Sequence, residues 1–408
     1  MNEIKGGVTA ARGFAASCTA AGIKYKDRTD MAMVYSSVPC KTAGTYTKNV
    51  VKAAPVLWDR ALTDGDKLVS AVVINAGIAN ACTGEEGFSY CKKTSDAVKE
   101  ALNLKDSEVL VASTGVIGKQ LPIEKIVAGT KVLAAKLSET TEAGEEASKA
   151  IMTTDTHNKQ IAFEFEAGGK KCIIGGMCKG SGMIHPNMCT MLAFITTDVC
   201  IDKALMLKAL REDIEDTFNM VSVDGDTSTN DSVMLLANGL AGNSEILEEN
   251  SIDYANFKEA LHGVTLFMAK NIAADGEGAT KLFEVKVVNA ADKAKAKILA
   301  LSVIKSSLTK AAVYGNDANV GRIMCALGYS GVDFDPYNVD ITISSENGCE
   351  QLVEKGVPLD FNEELATRIL SGKAVTATCD MKEGKAEATA WGCDLTYDYV
   401  KINADYRS

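Results

Sequence analysis

The segment Lys179-Gly180-Ser181-Gly182-Met183-Ile184-His185-Pro186-Asn187-Met188-Cys189-Thr190-Met191-Leu192 holds the residue pattern best suited to chemistry. Small residues, one proline and one asparagine lead to Thr190, which opens the apolar run Met191 to Ile195. This pattern predicts a loop that delivers one hydroxyl to the start of a buried strand. A cut just before Thr190 would leave its α-amino group beside its hydroxyl, where it can act as the base for that nucleophile. Such an amine has a reference pKa of ~7.7–8.0, suited to accepting a proton near neutrality. Without the cut, Thr190 is an ordinary strand residue, and residue types alone leave both readings open.

Other chemistries find less support. Three histidines, His157, His185 and His262, give little material for a Ser-His-Asp or Cys-His arrangement. The twelve cysteines are scattered, with no Cys-x-x-Cys pair, so no zinc site is expected. They read as reduced, mostly buried small hydrophobes. No Walker-type loop or Gly-x-Gly-x-x-Gly after a strand occurs among the 34 glycines, which argues against those nucleotide sites. Thr114-Gly115 follows an apparent strand, where backbone N–H groups can face an oxyanion; the alternative is a plain turn. Asp224 to Asp231 has some likeness to a calcium loop but lacks its closing glutamate, Leu235 standing there. It reads as a polar loop near a site. Glu277 lies between two glycines, placed either to meet a ligand amine or simply to be solvated.

These groups need a scaffold. At 408 residues, 46% hydrophobic and 24% charged, the chain is globular, with two or three domains by length. A net charge of −11 argues against nucleic acid as a partner. No apolar run approaches a membrane span, and the start shows no signal-peptide core, so a cytoplasmic location is expected. The patterns predict helices over 94–104, 122–137, 202–218, 252–274, 290–304 and 362–370. They predict strands over 108–113, 160–165, 172–174, 232–236, 283–287, 308–314, 375–378 and 385–391. The mixture lacks a regular βαβ beat and favours an α+β layered fold.

The segment around Thr190 resembles the signature of the ornithine acetyltransferase, or glutamate N-acetyltransferase, family of arginine biosynthesis. Asn75 to Gly84, Ser113 to Gly118, Ile151 to Thr156, Ser222 to Asp231, Asp275 to Lys281, Gly315 to Arg322 and Ile402 to Ser408 resemble further family blocks, in family order. The likeness spans essentially the whole chain. It implies an α+β layered sandwich related to N-terminal-nucleophile folds (ornithine acetyltransferase/aminopeptidase-like). It implies self-cleavage at Cys189–Thr190 into an α fragment, 1–189, and a β fragment, 190–408, associated as an α2β2 heterotetramer. By the same likeness Thr190 is the nucleophile and Thr114 and Gly115 form the oxyanion hole. Thr153 or Thr154, Lys179, Thr190, Glu277, Asn403 and Ser408 are the substrate contacts. The implied reaction moves acetyl from N-acetylornithine to glutamate without a cofactor. Acetyl-CoA as a second acetyl donor stays open, because no residue decides it. One departure is Cys189, where the family usually has alanine. Two rival readings remain at this stage. One is an amidohydrolase or aminopeptidase that passes the acyl group to water, and the other a non-catalytic binding protein.

Overall fold

The computed structural model describes residues 1–185 and 191–405. The chain divides into two compact units. The first comprises Met1–Gly180, Pro186–Asn219 and Thr227–Met268, and the second Ser181–His185, Met220–Asp226 and Ala269–Ser408.

Among the described residues, the first unit is built on nine strands, one of which, Met31–Tyr46, serves two leaves. Its residues 31–35 pair with the strand Val69–Ile78, and 41–46 pair with Ser232–Ala237. The register slips between Tyr35 and Cys40, as a strand does where it bends from one sheet surface into another. Strand periodicity explains the packing. Ala32, Val34, Val72, Ile74, Leu110 and Ala112 share one buried cluster with Met177, Leu192, Phe194, Met234 and Leu236 of the other leaf. Their neighbours Met31, Met33, Ala71, Val73 and Val109 face the opposite way, in a cluster with Val98, Ile126 and Leu133 of the helices Gly84–Leu102 and Ile123–Ala135. All ten residues of Val69–Ile78 are buried, as expected of a strand covered on both faces. The expected α+β layered architecture is borne out.

The second unit carries a seven-stranded mixed sheet among its described residues. Phe283, Val285 and Val287 alternate inward along Leu282–Ala290, which pairs parallel with Ala374–Asp380 and antiparallel with Ala386–Cys393. The helix Lys293–Lys305 packs on that sheet.

Most predicted elements are present, and the helix Ile252–Ala274 matches its predicted span. Two expectations are corrected. The helix expected over 94–104 begins ten residues earlier, at Gly84; Gly84 and Gly87 hide its first turns from a propensity reading. The strand expected over 308–314 is the helix Ser307–Tyr314. Its buried residues Thr309, Lys310, Ala312 and Val313 follow helical spacing, and the Ser306 hydroxyl accepts the Thr309 N–H at 3.2 Å. A short apolar run does not separate strand from helix by pattern alone, and the cap decides this case. Ser306→Ala should therefore lower stability by about 0.5–2 kcal/mol. A urea titration would show this as a lower midpoint at unchanged slope, and an unaltered midpoint would count against the cap.

Candidate active site

The strands Val69–Ile78 and Glu108–Val116 run parallel and end together, with Ala76 beside Thr114 and Gly77 beside Gly115. Gly115 has φ +128°, and a Cβ there would lie 2.2 Å from the Gly77 carbonyl carbon. Only glycine lets the two backbones approach so closely. Thr114 and Gly115 are half-buried at the strand end. Behind them the Ser113 hydroxyl donates to Asn75 at 2.7 Å, and the Asn75 carboxamide donates to the Ile78 carbonyl at 2.9 Å.

Asn230 ties this end to the rest of the unit. Its amide nitrogen donates to the Ser113 carbonyl at 2.8 Å and the Ala79 carbonyl at 2.6 Å. Its oxygen accepts the Thr229 hydroxyl at 2.6 Å. Two residues on, Ser232 pairs with Leu192 on one side and Tyr46 on the other, and its N–H donates to the Met191 carbonyl at 2.9 Å. The buried Asn230 side chain thus joins the backbone before Thr114-Gly115 to the strand beside Met191–Leu192.

Lys179 ends the strand Lys170–Lys179 in register with Leu192. It is about one-tenth exposed, and its ammonium lies 3.9 Å from Asp155. Lys159, fully buried, takes the same carboxylate at 2.9 Å. Asp155 also accepts the Gly180 N–H at 2.7 Å and the Thr153 N–H at 3.1 Å. Burial alone would push this carboxyl up. Lys179 and Lys159, with hydrogen bonds from Lys159 and Gly180, outweigh burial and hold it well below the usual carboxylate range. The longer Lys179 contact leaves its ammonium with donors to spare for a ligand carboxylate. Thr153 and Thr154 are half-buried on the loop that Asp155 anchors, and nothing in that loop prefers one over the other as a ligand contact.

In the second unit, Glu277 and Asn403 come together. The Asn403 amide donates to the Glu277 carboxylate at 2.7 Å and to the Tyr399 carbonyl at 3.0 Å. Gly182 lies against Glu277, for a Cβ there would fall 2.2 Å from the carboxyl carbon. The Glu277 N–H donates to the Ser181 carbonyl, and the Ser181 hydroxyl to the Asp275 carbonyl. Ser181-Gly182 thereby fixes a glutamate that is 6% exposed. On the same surface Asp224 accepts the Met183 and Ile184 N–H groups at 2.6 and 2.8 Å and the Tyr399 hydroxyl at 3.3 Å. Burial, then the neighbouring Asp224 and Glu277 carboxylates, push the Tyr399 phenol up, so it stays protonated as a donor.

The site residues expected from sequence thus fall into three described groups: Thr114 with Gly115, Lys179 near Thr153 and Thr154, and Glu277 with Asn403. Cys189, Thr190 and Ser408 lie outside the described residues. Asp155, Lys159 and Asn230 were not singled out from sequence, although Asp155 and Asn230 stand inside the blocks quoted above. An aspartate followed four residues later by a lysine and a polar loop before a strand were the available signals.

A family model described as the ArgJ family matches residues 15–408 of this chain. "Arginine biosynthesis bifunctional protein ArgJ" of Symbiobacterium thermophilum is 51% identical over 410 residues, covering 100% of both chains. "Arginine biosynthesis bifunctional protein ArgJ 1" of Clostridium acetobutylicum is 51% identical over 97% of this chain and 96% of its own. A solved chain described as arginine biosynthesis bifunctional protein argJ of Bacillus halodurans is 46% identical, with a TM-score of 0.50. It is matched over 99% of its length by 53% of this chain.

The Asp155 cluster makes a quantitative expectation. Asp155→Asn removes the charge facing buried Lys159 and should cost about 3–5 kcal/mol at pH 7. The wild-type carboxyl is depressed in the folded state, so its contribution is fully present above its unfolded pKa of ~3.9 and is lost as pH falls toward the folded value. Urea titrations of both proteins should show a wide gap at neutral pH that narrows only below about pH 4. A gap independent of pH would contradict the electrostatic assignment.

Proposed function

Because this chain belongs to the ArgJ family, we propose that it is an acetyltransferase of arginine biosynthesis that moves acetyl from N-acetylornithine to glutamate. In this reading the chain cuts itself at Cys189–Thr190 into fragments 1–189 and 190–408. The new amine of Thr190 accepts the proton of its own hydroxyl, and the oxygen attacks the acetyl carbonyl carbon of N-acetylornithine. Backbone and side-chain donors at Thr114 and Gly115 hold the tetrahedral oxyanion, where loss of one donor costs ~10²–10³ in rate. The C–N bond breaks, the stored proton passes to the departing amine, and ornithine leaves an acetyl ester on Thr190. The amine of glutamate attacks that ester, the C–O bond breaks, and the hydroxyl is restored. Lys179 holds a substrate carboxylate; Glu277, steadied by Asn403, holds an amino group, with Thr153 or Thr154 and Ser408 as further contacts.

The carrying observation is the Asn230 tie. It supports this assignment because it joins a half-buried, glycine-built strand end to the strand that follows Thr190. The register of Lys179 with Leu192 adds a buried ammonium at the same strand start. Self-cleavage draws support from the solved relative, whose chain is about half the length of this one. A location in the cytoplasm and association as α2β2 complete the proposal. The relatives' shared term "bifunctional" supports acetyl-CoA as a second donor.

Mass spectrometry of enzyme mixed with N-acetylornithine alone should find one acetyl group on the fragment beginning at Thr190, removed on adding glutamate with formation of N-acetylglutamate. Release of acetate in place of N-acetylglutamate would favour a hydrolase. Thr190→Ala should abolish both the acetyl-enzyme and turnover, and retained transfer would refute the role of Thr190.

A further inference from the structure

The first unit carries a cavity of about 250 Å³ that the transfer mechanism leaves unused. Four cationic side chains line it, Lys48, Lys52, Arg60 and Arg211, against one carboxylate, Asp64. In a chain of net charge −11, this concentration of positive charge is local. The cations come from three separate elements: the loop after Met31–Tyr46, the helix Ala54–Thr63 and the helix Lys203–Ile214. A solvated helix face would supply them from one element. Arg60 pairs with Asp64 at 3.2 Å, and Lys52 donates to the Asn49 carbonyl at 2.8 Å. Lys48 and Arg211 make no ion pair or side-chain hydrogen bond among the described residues.

The place of the cavity narrows its use. Tyr46, which lines it, and Leu192 flank Ser232 at one register level. Two strand spacings separate them, about 10 Å. One residue lining the cavity, Tyr46, therefore stands about 10 Å across the sheet from the strand start that follows Thr190. An amino-acid substrate brings one or two carboxylates to the reacting centre and has no use for four cations at that remove. A coenzyme A thioester carries its phosphates at the far end of a long arm from its acyl group. Guanidinium and ammonium groups bind such phosphates with charge-assisted hydrogen bonds.

We propose that the pocket formed by Lys48, Lys52, Arg60 and Arg211 is a binding site for phosphate groups, and that those groups are the phosphates of the acyl-CoA donor. The second half of this statement rests on the reading that acetyl-CoA is a donor; the first half does not.

The test uses the whole enzyme, wild type and the double variant Lys48→Gln/Arg211→Gln. Calorimetry with CoA should show binding weakened roughly tenfold or more in the variant, since each substitution removes a charge-assisted hydrogen bond to phosphate. KM for acetyl-CoA should rise similarly, while transfer from N-acetylornithine to glutamate, which confirms the fold, changes less than about twofold. S-acetylpantetheine, which lacks the pyrophosphate and nucleotide, should not distinguish the two proteins. Equal CoA affinity in both proteins, or failure of the wild type to bind either CoA or inorganic pyrophosphate, would overturn the site. Pyrophosphate binding lost in the variant, without turnover of acetyl-CoA by the wild type, would keep the phosphate site and refute only the donor.

Discussion

One buried carboxamide sets the geometry on which the account depends. Asn230 spends both of its N–H groups on the carbonyls of Ser113 and Ala79. Those carbonyls belong to the two chain segments that end beside Gly77 and Gly115. A buried carbonyl without a partner costs about 1–3 kcal/mol, so the two segments are held to the strand Ser232–Ala237 more firmly than contact alone would hold them. That strand is also the neighbour of Leu192–Thr197. A displacement of the Thr114-Gly115 backbone therefore has to break hydrogen bonds that also locate the strand start after Thr190. Preorganisation of this kind matters for the proposed role of Thr114-Gly115, because an oxyanion hole works only when its donors are already in place.

The same sheet explains how the chain can be cut without coming apart. Residues 170–179 and 192–197 pair along six register positions on either side of the proposed cut. Residues 232–237 pair with 41–46, again one segment from each proposed fragment. The core cluster likewise mixes Val34, Ile74 and Leu110 with Phe194 and Met234. The first compact unit is thus built from both proposed fragments, and a break at 189–190 would not remove any of these pairings. The proposed cut would change the chemistry of one amine while leaving the packing to hold the pieces together. The Asp155 cluster contributes from the earlier segment alone, fixing Lys179 and the Thr153 loop around one buried carboxylate.

Much of the scaffold was legible because its periodicities are strong. The alternation Phe283, Val285, Val287 and the long helix Ile252–Ala274 follow directly from apolar spacing. The segment Ser307–Tyr314 reads as a strand by pattern because eight residues with a central apolar run fit either state, and a serine cap makes it a helix. Glycines Gly84 and Gly87 concealed the start of another helix. At the site, Gly115 could be suspected from its place after a strand, but its true partner, Gly77, lies 38 positions earlier and meets it only in register. Asn230 and Asp155 are ordinary polar residues in sequence. Their importance arises from carbonyls and lysines brought to them by folding, which no local pattern records. The whole-chain likeness pointed to Lys179, Glu277 and Asn403; the structure supplied their partners.

The central claim is that breaking one peptide bond creates the catalytic amine. N-terminal sequencing of active enzyme, after separation on a denaturing gel, tests this most directly. The account predicts two bands of similar size, one of which begins Thr-Met-Leu-Ala, the sequence from Thr190 onward. A single full-length chain in fully active enzyme, or a second fragment beginning at any other residue, would contradict it.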